Sequence, residues 1–461
     1  MGMSKIVIRS DVFRLTIPII TEQIFVMSMG VVNTVLASRI GKEAVSAIGM
    51  VDSINNILIA FFSSLAVGST VVVAQYAGQG KIREANETVK QALFSGLLLS
   101  IIVTVALWIF QVPLINFLFG AADERVMQYS YTYLGITLFT YPLISLTAIA
   151  CGVLRGASDT KTPMVVTVFM NIVNIILSYV LIYGLRINIF SIDLSIPRLE
   201  VMGAALGIAI ARAIGTGIIM FILFNGSKII KLTGLKQFKI DSYMQRSIFS
   251  VGLPAGIESL LFNGGKLITQ IFIVGLGTVA IASNSIANSI FSLVNIPGNA
   301  LSIAATTMVG RSMGKGDSDE ARDTLLYLTK VSMLCMLALC VISFIFARPL
   351  VAIYSRDADV INLSALLVRL CSISTPILWP AAFVLPAGLK GAGDAKYTLL
   401  TSMIGMWAFR VVLGYVFCIP LKMGVVGIWI GMFVDWLVRG ALYYSRLKGD
   451  KWKSNTVIKA R

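Results

Sequence analysis

Glu22 stands four residues after Pro18 in LTIPIITEQ, and Glu258 stands four residues after Pro254 in VGLPAGIES. Both lie in stretches that are otherwise apolar. A proline inside a helix removes one backbone hydrogen bond and loosens the helix there. A carboxylate in apolar surroundings is expensive to hold charged, which is the condition for reversible proton uptake inside a membrane. Proline and glutamate together make a mobile joint, a hinge at Pro18 and Pro254, beside a titratable group. The other reading is that each glutamate lies close enough to a membrane face simply to hydrate. Lys266 follows Glu258 by two turns, roughly 80° around the helix at about 100° per residue. It can pair with Glu258 or with Glu22 across a cavity, or it can snorkel. Asp52 opens the polar stretch DSINN and is a candidate to face a cavity or an outer vestibule.

Other chemistries are excluded by what the chain lacks. There is no His, which removes imidazole bases and His metal sites. The five Cys are scattered in apolar context without C-x-x-C spacing and read as structural thiols. GRSMGKGD has a Gly-Lys but neither the spacing nor the Ser or Thr of a phosphate-binding loop. The expectation is a protein that is not an enzyme and carries no cofactor beyond a coupling ion, proton or sodium.

The elements that must hold these residues are membrane helices. Of 461 residues 57% are hydrophobic and 13% charged, more apolar side chain than a soluble core of this length can hide. Twelve apolar stretches of spanning length recur, near 15–38, 44–73, 91–118, 131–152, 163–185, 201–224, 248–275, 279–309, 325–346, 361–388, 397–420 and 423–445. No A-x-A-like cleavage site follows the N-terminus, so the first span is expected to be retained. The net charge of +16 follows from topology. Loops on one side hold 25 of the 38 Lys and Arg, and those on the other side hold eight. That asymmetry places both termini in the cytoplasm of a multi-pass protein of the cytoplasmic membrane, and nucleic acid is not needed to explain the charge.

The chain repeats itself. At an offset of 236 residues Pro18 meets Pro254, Glu22 meets Glu258, and AQYAGQGKIREA meets GRSMGKGDSDEA. After a slip of one residue, RGASDTKTP (155–163) meets the polar knot GLKGAGDAKYT (388–398), with Asp159 on Asp394. Six spans per copy is an even number, so both copies enter the membrane in the same orientation, as parallel repeats. The expected fold is an all-α polytopic membrane protein of twelve transmembrane helices. Its two six-helix lobes, 1–225 and 248–461, are related by a pseudo-two-fold axis, with a cytoplasmic linker at 226–247. The knots read first as helix-end turns supplied by Gly and Asp.

Twelve spans, G-x-L-R-G-x-x-D-T-K-T-P after the fourth and A-Q-x-x-G-x-G after the second resemble the multidrug and toxic compound extrusion (MATE) transporters, part of the wider multidrug/oligosaccharidyl-lipid/polysaccharide exporter superfamily. The resemblance covers nearly the whole chain. It implies two bundles around a central cavity and export of amphipathic, often cationic compounds against inflow of sodium ions or protons. It also marks a departure. Many relatives carry an Asp fifteen residues after the bend proline and a second Asp in an N-x-x-x-D run of the fifth span. Here those positions are Asn33 and Ser178, beside Asn174. Asn171, Asn174 and Ser178 share one helical face and offer neutral oxygens to a sodium ion or a substrate, with Asn174 and Asn33 the candidate sodium ligands. They cannot titrate, so proton coupling would rest on Glu22 or Glu258.

The function expected is an ion-coupled antiporter for small amphipathic molecules, working as a monomer among membrane lipids. Two rivals stand beside it: a lipid-linked glycan flippase of the same superfamily, and a channel or receptor without coupled transport.

Overall fold

The computed structural model describes residues 2–120, 122–189, 192–234 and 237–458. The first half runs α1 (Gly2–Ser38), α2 (Lys42–Gly78), α3 (Ile82–Phe119), α4 (Glu124–Leu138), α5 (Tyr141–Gly156), α6 (Lys161–Tyr183) and α7 (Glu200–Asn225). The second half runs α8 (Ser242–Val274), α9 (Thr278–Val294), α10 (Ile296–Gly314), α11 (Ser318–Ile345), the short α12 (Ala347–Ala352) and α13 (Ala358–Ala392). It then continues through α14 (Ala395–Ile404), a π-helical stretch (Gly405–Leu413), α15 (Gly414–Cys418) and α16 (Gly424–Lys448).

Among the described residues ten helices are long and apolar enough to cross a membrane. Two bent pairs, α4 with α5 at 48° and α9 with α10 at 51°, raise the number to twelve when each pair is one span. Both bends fall where a new helix opens with proline in its first turn, Pro142 in α5 and Pro297 in α10. There the missing N–H costs nothing, while the ring keeps the preceding helix from running on. Pro18 and Pro254 behave differently: each sits inside an unbroken helix, α1 and α8.

Where sequence patterning gave only a loop, between α6 and α7, the chain forms a two-stranded antiparallel hairpin, β1 (Leu185–Ile189) with β2 (Ile192–Ile196). Its alternation of apolar and polar residues suits paired strands.

By packing the chain divides into two units. One comprises Met1–Ile20, Ala74–Lys81 and Phe249–Arg461, the other Thr21–Val73 and Ile82–Ile248. The first is filled by Trp379, Trp429, Trp436, Leu385 and their neighbours, and it takes in Val12 at the start of α1. The second is built on Ile48, Phe62, Tyr133, Leu138 and Tyr141. Much of the apolar surface is left outside, including Trp108, Phe117 and Phe346, the expected state of helices whose solvent is lipid. α1 changes unit between Ile20 and Thr21, two residues past Pro18.

The two knots are closed by one recipe. Asp159 N–H donates to the Leu154 carbonyl and Asp394 N–H to the Leu389 carbonyl, each at 2.9 Å or less, the six-to-one bond of a Schellman ending. The residue before each Asp, Ser158 (φ 63°) or Gly393 (φ 101°), takes the positive φ that this ending requires. Each Asp then holds the segment that leaves the sixth span of its own half. Asp159 accepts the Ser227 hydroxyl at 2.5 Å, and Lys228 Nζ donates to the Ser158 carbonyl. Asp394 accepts from Arg446 Nε at 2.7 Å and from Asn455 Nδ2 at 2.9 Å. The chain leaving α7 also meets α3 at two points: Lys90 Nζ donates to the Thr233 carbonyl and Gln91 Nε2 to the Lys239 carbonyl.

Candidate functional site

Glu22 reaches the first knot. Arg155, the last basic residue of α5, places Nη2 at 2.5 Å from Glu22 Oε1, and the Thr167 hydroxyl of α6 donates to the same oxygen at 3.2 Å. Glu22 is 4% exposed. Its second oxygen, Oε2, and Arg155 Nε are buried without a hydrogen-bond partner. A buried carboxylate oxygen left bare is rare because its desolvation goes uncompensated, and it leaves one acceptor open.

Glu258 repeats the arrangement. Lys390 Nζ lies 2.9 Å from Oε2, the Ser402 hydroxyl donates to Oε1 at 2.8 Å, and Thr398 Oγ1 stands 3.4 Å from Oε2. Arg155 with Lys390, and Thr167 with Ser402, are repeat mates at the offset of the knots. The joint and the knot are therefore one site, written twice: a carboxylate from the first span, a base from the end of the fourth, a hydroxyl from the fifth. The two copies differ in finish. Glu258 has a donor on each oxygen, and Ser402 is in turn bonded to the buried Tyr443 hydroxyl at 2.9 Å, whereas Glu22 has all its donors on one oxygen.

Of the alternatives open to Lys266, the pair with Glu258 is not formed, because Lys390 is the base within reach of that carboxylate. Lys266 instead lies 5.0 Å above the Phe262 ring centroid and lines a cavity of about 230 Å³ with Arg410, Asn284, Asn288 and Trp429. In the first half Asn171, Asn174 and Ser178 are all buried on one face of α6. Ser178 donates to Asn174 Oδ1 at 3.0 Å and Asn174 Nδ2 approaches Met29 Sδ at 3.3 Å, while Asn171 Nδ2 has no partner. Asn33 is half-buried on α1 and joins no side-chain hydrogen bond among the described residues. Asn174 and Ser178 thus present neutral oxygens already engaged with each other. Among the described residues no group of three His, Cys, Asp or Glu could hold a metal ion. Asp52 accepts from Asn55 Nδ2 at 3.2 Å and from the buried Tyr133 hydroxyl at 3.4 Å, and the Tyr141 hydroxyl donates to Asn55 Oδ1 at 2.6 Å. This ties α2 to α4 and α5.

Arg155, Lys390, Thr167 and Ser402 were not singled out from sequence as site residues. A base and a hydroxyl do recur at the repeat offset, but the base lies inside each knot, where Gly and Asp account for the pattern as a helix-end turn.

Two halves of six spans, each placing carboxylate, base and hydroxyl at matching positions, define a polytopic membrane transporter built by duplication. The MatE family model matches residues 18–180 and again residues 254–416, so both matches begin at the joint prolines. The chain belongs to the multidrug and toxic compound extrusion (MATE) family. It is 29% identical to the uncharacterized transporter YisQ of Bacillus subtilis, over 96% of this chain and 94% of that one. It is 27% identical to the probable multidrug resistance protein NorM of Thermotoga maritima, over 98% and 94%. Its fold matches a solved MOP superfamily transporter of Pyrococcus furiosus with a TM-score of 0.85 at 22% identity, covering 96% of this chain and 95% of that one. For that protein a reverse polarity of the binding pocket suggests a different function.

Proposed function

We propose that this transporter is an ion-coupled antiporter that exports small amphipathic compounds from the cytoplasm by alternating access, with the Glu22 and Glu258 ties as its coupling elements. The observation that carries the reading is the doubled tie itself, in which a carboxylate beside a helix-interior proline is bound to the base at the end of the fourth span of its half. Protonating the carboxylate removes its charge and with it the ion pair, so the first span and the knot are released from each other. Deprotonation restores the tie. The bare oxygen of Glu22 is the acceptor such a proton would take. Names among the relatives, such as multidrug resistance protein, support a drug-like cargo.

On this reading the chain works as a monomer in the cytoplasmic membrane with both termini inside, and the halves 1–225 and 248–461 move about the 226–247 linker. Sodium at Asn174 and Asn33 is the weaker coupling candidate, because only neutral oxygens are offered there. Dye efflux from everted vesicles, driven first by a proton gradient and then by a sodium gradient, tests the reading. Efflux under the proton gradient that disappears in the double variant Glu22→Gln/Glu258→Gln is the result expected. Dye movement that ignores both gradients would instead favour a channel.

A further inference from the structure

The cavity of the first unit is lined by Lys266 and Arg410 and by no acidic residue. Both cations also stand near a ring outside the lining, which Arg439 shares: Lys266 Nζ, Arg410 Cζ and Arg439 Cζ stand 5.0, 5.6 and 5.4 Å from the Phe262 centroid. Arg439 is matched, since its Nε and Nη2 bind Asp435 at 2.6 and 2.9 Å and both residues are buried. Lys266 and Arg410 are not. Lys266 accepts the Thr269 hydroxyl on its carbonyl, but its Nζ has no hydrogen-bond or ion-pair partner among the described residues, and its side chain is exposed at the cavity. Arg410 has only a thioether, Met432 Sδ at 3.1 Å from Nη2, and its Nε is buried without a partner.

Arg410, part-buried in a membrane interior with a bare Nε, is costly unless something of opposite charge joins it. The exposed Lys266 ammonium adds a second positive charge at the same cavity. Arg410 also sits in the π-helical stretch Gly405–Leu413, a widened turn of the kind frequent at functional sites. The rest of the wall is polar amide on one side, with Asn284 fixed by the Trp429 indole N–H at 3.0 Å. On the other side it is apolar, with Ile428 and Met432.

We propose that this cavity is a binding site for an organic anion, whose carboxylate or phosphate head is held between Lys266 and Arg410 with its apolar body against Trp429. A volume of about 230 Å³ lies below the range of about 300–1,000 Å³ usual for whole drug-sized ligands, so the site grips a head group and a ring. The proposal rests on the exporter reading only in taking this anion, or a zwitterion carrying it, as a cargo class. The binding itself needs no gradient.

The test titrates the purified full chain in neutral detergent with 1-naphthoate, uncharged 1-naphthalenemethanol and 1-naphthylmethylammonium, read by calorimetry at low salt. Naphthoate should bind at least about tenfold tighter than the other two. Lys266→Gln and Arg410→Gln should each weaken it by about tenfold, while Arg410→Lys retains most of the affinity and Lys422→Gln, exposed and outside the lining, leaves it unchanged. Should Arg410→Gln not fold, the pair Lys266→Gln and Arg410→Lys decides. Equal affinity for the three probes, or naphthoate binding indifferent to Lys266→Gln in a monodisperse protein, overturns the site. A parallel arm adds phosphatidylglycerol: displacement of naphthoate marks a lipid head group as the source of the anion, and retention marks a soluble one, each with the Lys266 dependence the site requires. Naphthoate binding without any driven efflux would count against the exporter reading alone, and driven efflux of a cationic dye without naphthoate binding against this site alone.

Discussion

A glutamate tied to a base that cannot lose its charge differs from one tied to a lysine, and the two halves contain one of each. Arg155 stays cationic under all conditions, so Glu22→Gln strands a charge beside a carboxamide in a site where the native oxygen is already bare. Breaking one side of a buried pair costs about 3–5 kcal/mol. Glu258 retains its Ser402 and Thr398 hydroxyls, and Lys390 has a flexible stem that can find water. Thermal unfolding in detergent should therefore show a larger loss for Glu22→Gln than for Glu258→Gln, and equal losses would contradict the asymmetry. Transport should rank differently from stability. Glu258→Gln keeps shape and hydroxyl bonds yet cannot change charge, so proton-driven efflux should fall to background while binding of a cationic drug survives. Normal pumping by Glu258→Gln would move the search for the coupling group to Glu22.

The helix-end turns act as latches between elements. Burial alone would raise the Asp159 carboxyl, but its bonds from Ser227 and Thr162 and the nearby Lys228 outweigh that and hold it below the usual carboxylate range. A group depressed in this way contributes stability above its unfolded value of about 3.9. The contribution is lost as pH falls through the lower folded value. The first knot should thus stay latched to the linker at neutral pH and release only in strong acid. The second knot holds the C-terminal tail, in which Trp452 is 1% exposed. Asp394→Ala removes the acceptor of both Arg446 and Asn455, so trypsin should cut at Lys451 or Lys453 several-fold faster than in the native chain. Unchanged cleavage would mean that Trp452 packing, the Val457–Gln75 bond and the Lys453–Asp319 pair hold the tail without Asp394. One more element contact tolerates no side chain. A Cβ on Gly78 of α2 would overlap the Arg311 carbonyl, and one on Gly314 of α10 would overlap the Gln75 carbonyl. These are repeat mates at a backbone-to-backbone crossing, and Gly314→Ala should lower the detergent unfolding midpoint sharply.

At the scale of the whole molecule, duplication fixes orientation. Both knots follow an even number of spans, the fourth and the tenth, so both should face one side, while the β1–β2 hairpin follows the fifth span and should face the other. Single cysteines placed at Ser158, Lys396 and Ser195 check this with an impermeant maleimide on right-side-out and inverted vesicles. The first two should label from one side and the third from the opposite side. Labelling of the two knots from opposite sides would refute parallel repeats.

Sequence by itself determined the number of spans, the two-fold repeat and the family, because each is a long-range regularity: hydropathy over about 20 residues per span, a register held across an offset of 236 residues, and motifs at fixed positions. It also marked Glu22 and Glu258, since an acidic residue in an apolar run stands out without any partner. The partners were another matter. Glu22 lies 133 residues from Arg155 and 145 from Thr167, and no local pattern says which base a carboxylate meets. Helical spacing allows Lys266 as one mate for Glu258, yet Lys390 has it, because tertiary packing brings the end of α13 against α8. The same packing left Lys266 and Arg410 facing an open cavity without a carboxylate. Charge pairing in a membrane interior is decided by which helices lie side by side, and only the folded chain shows that.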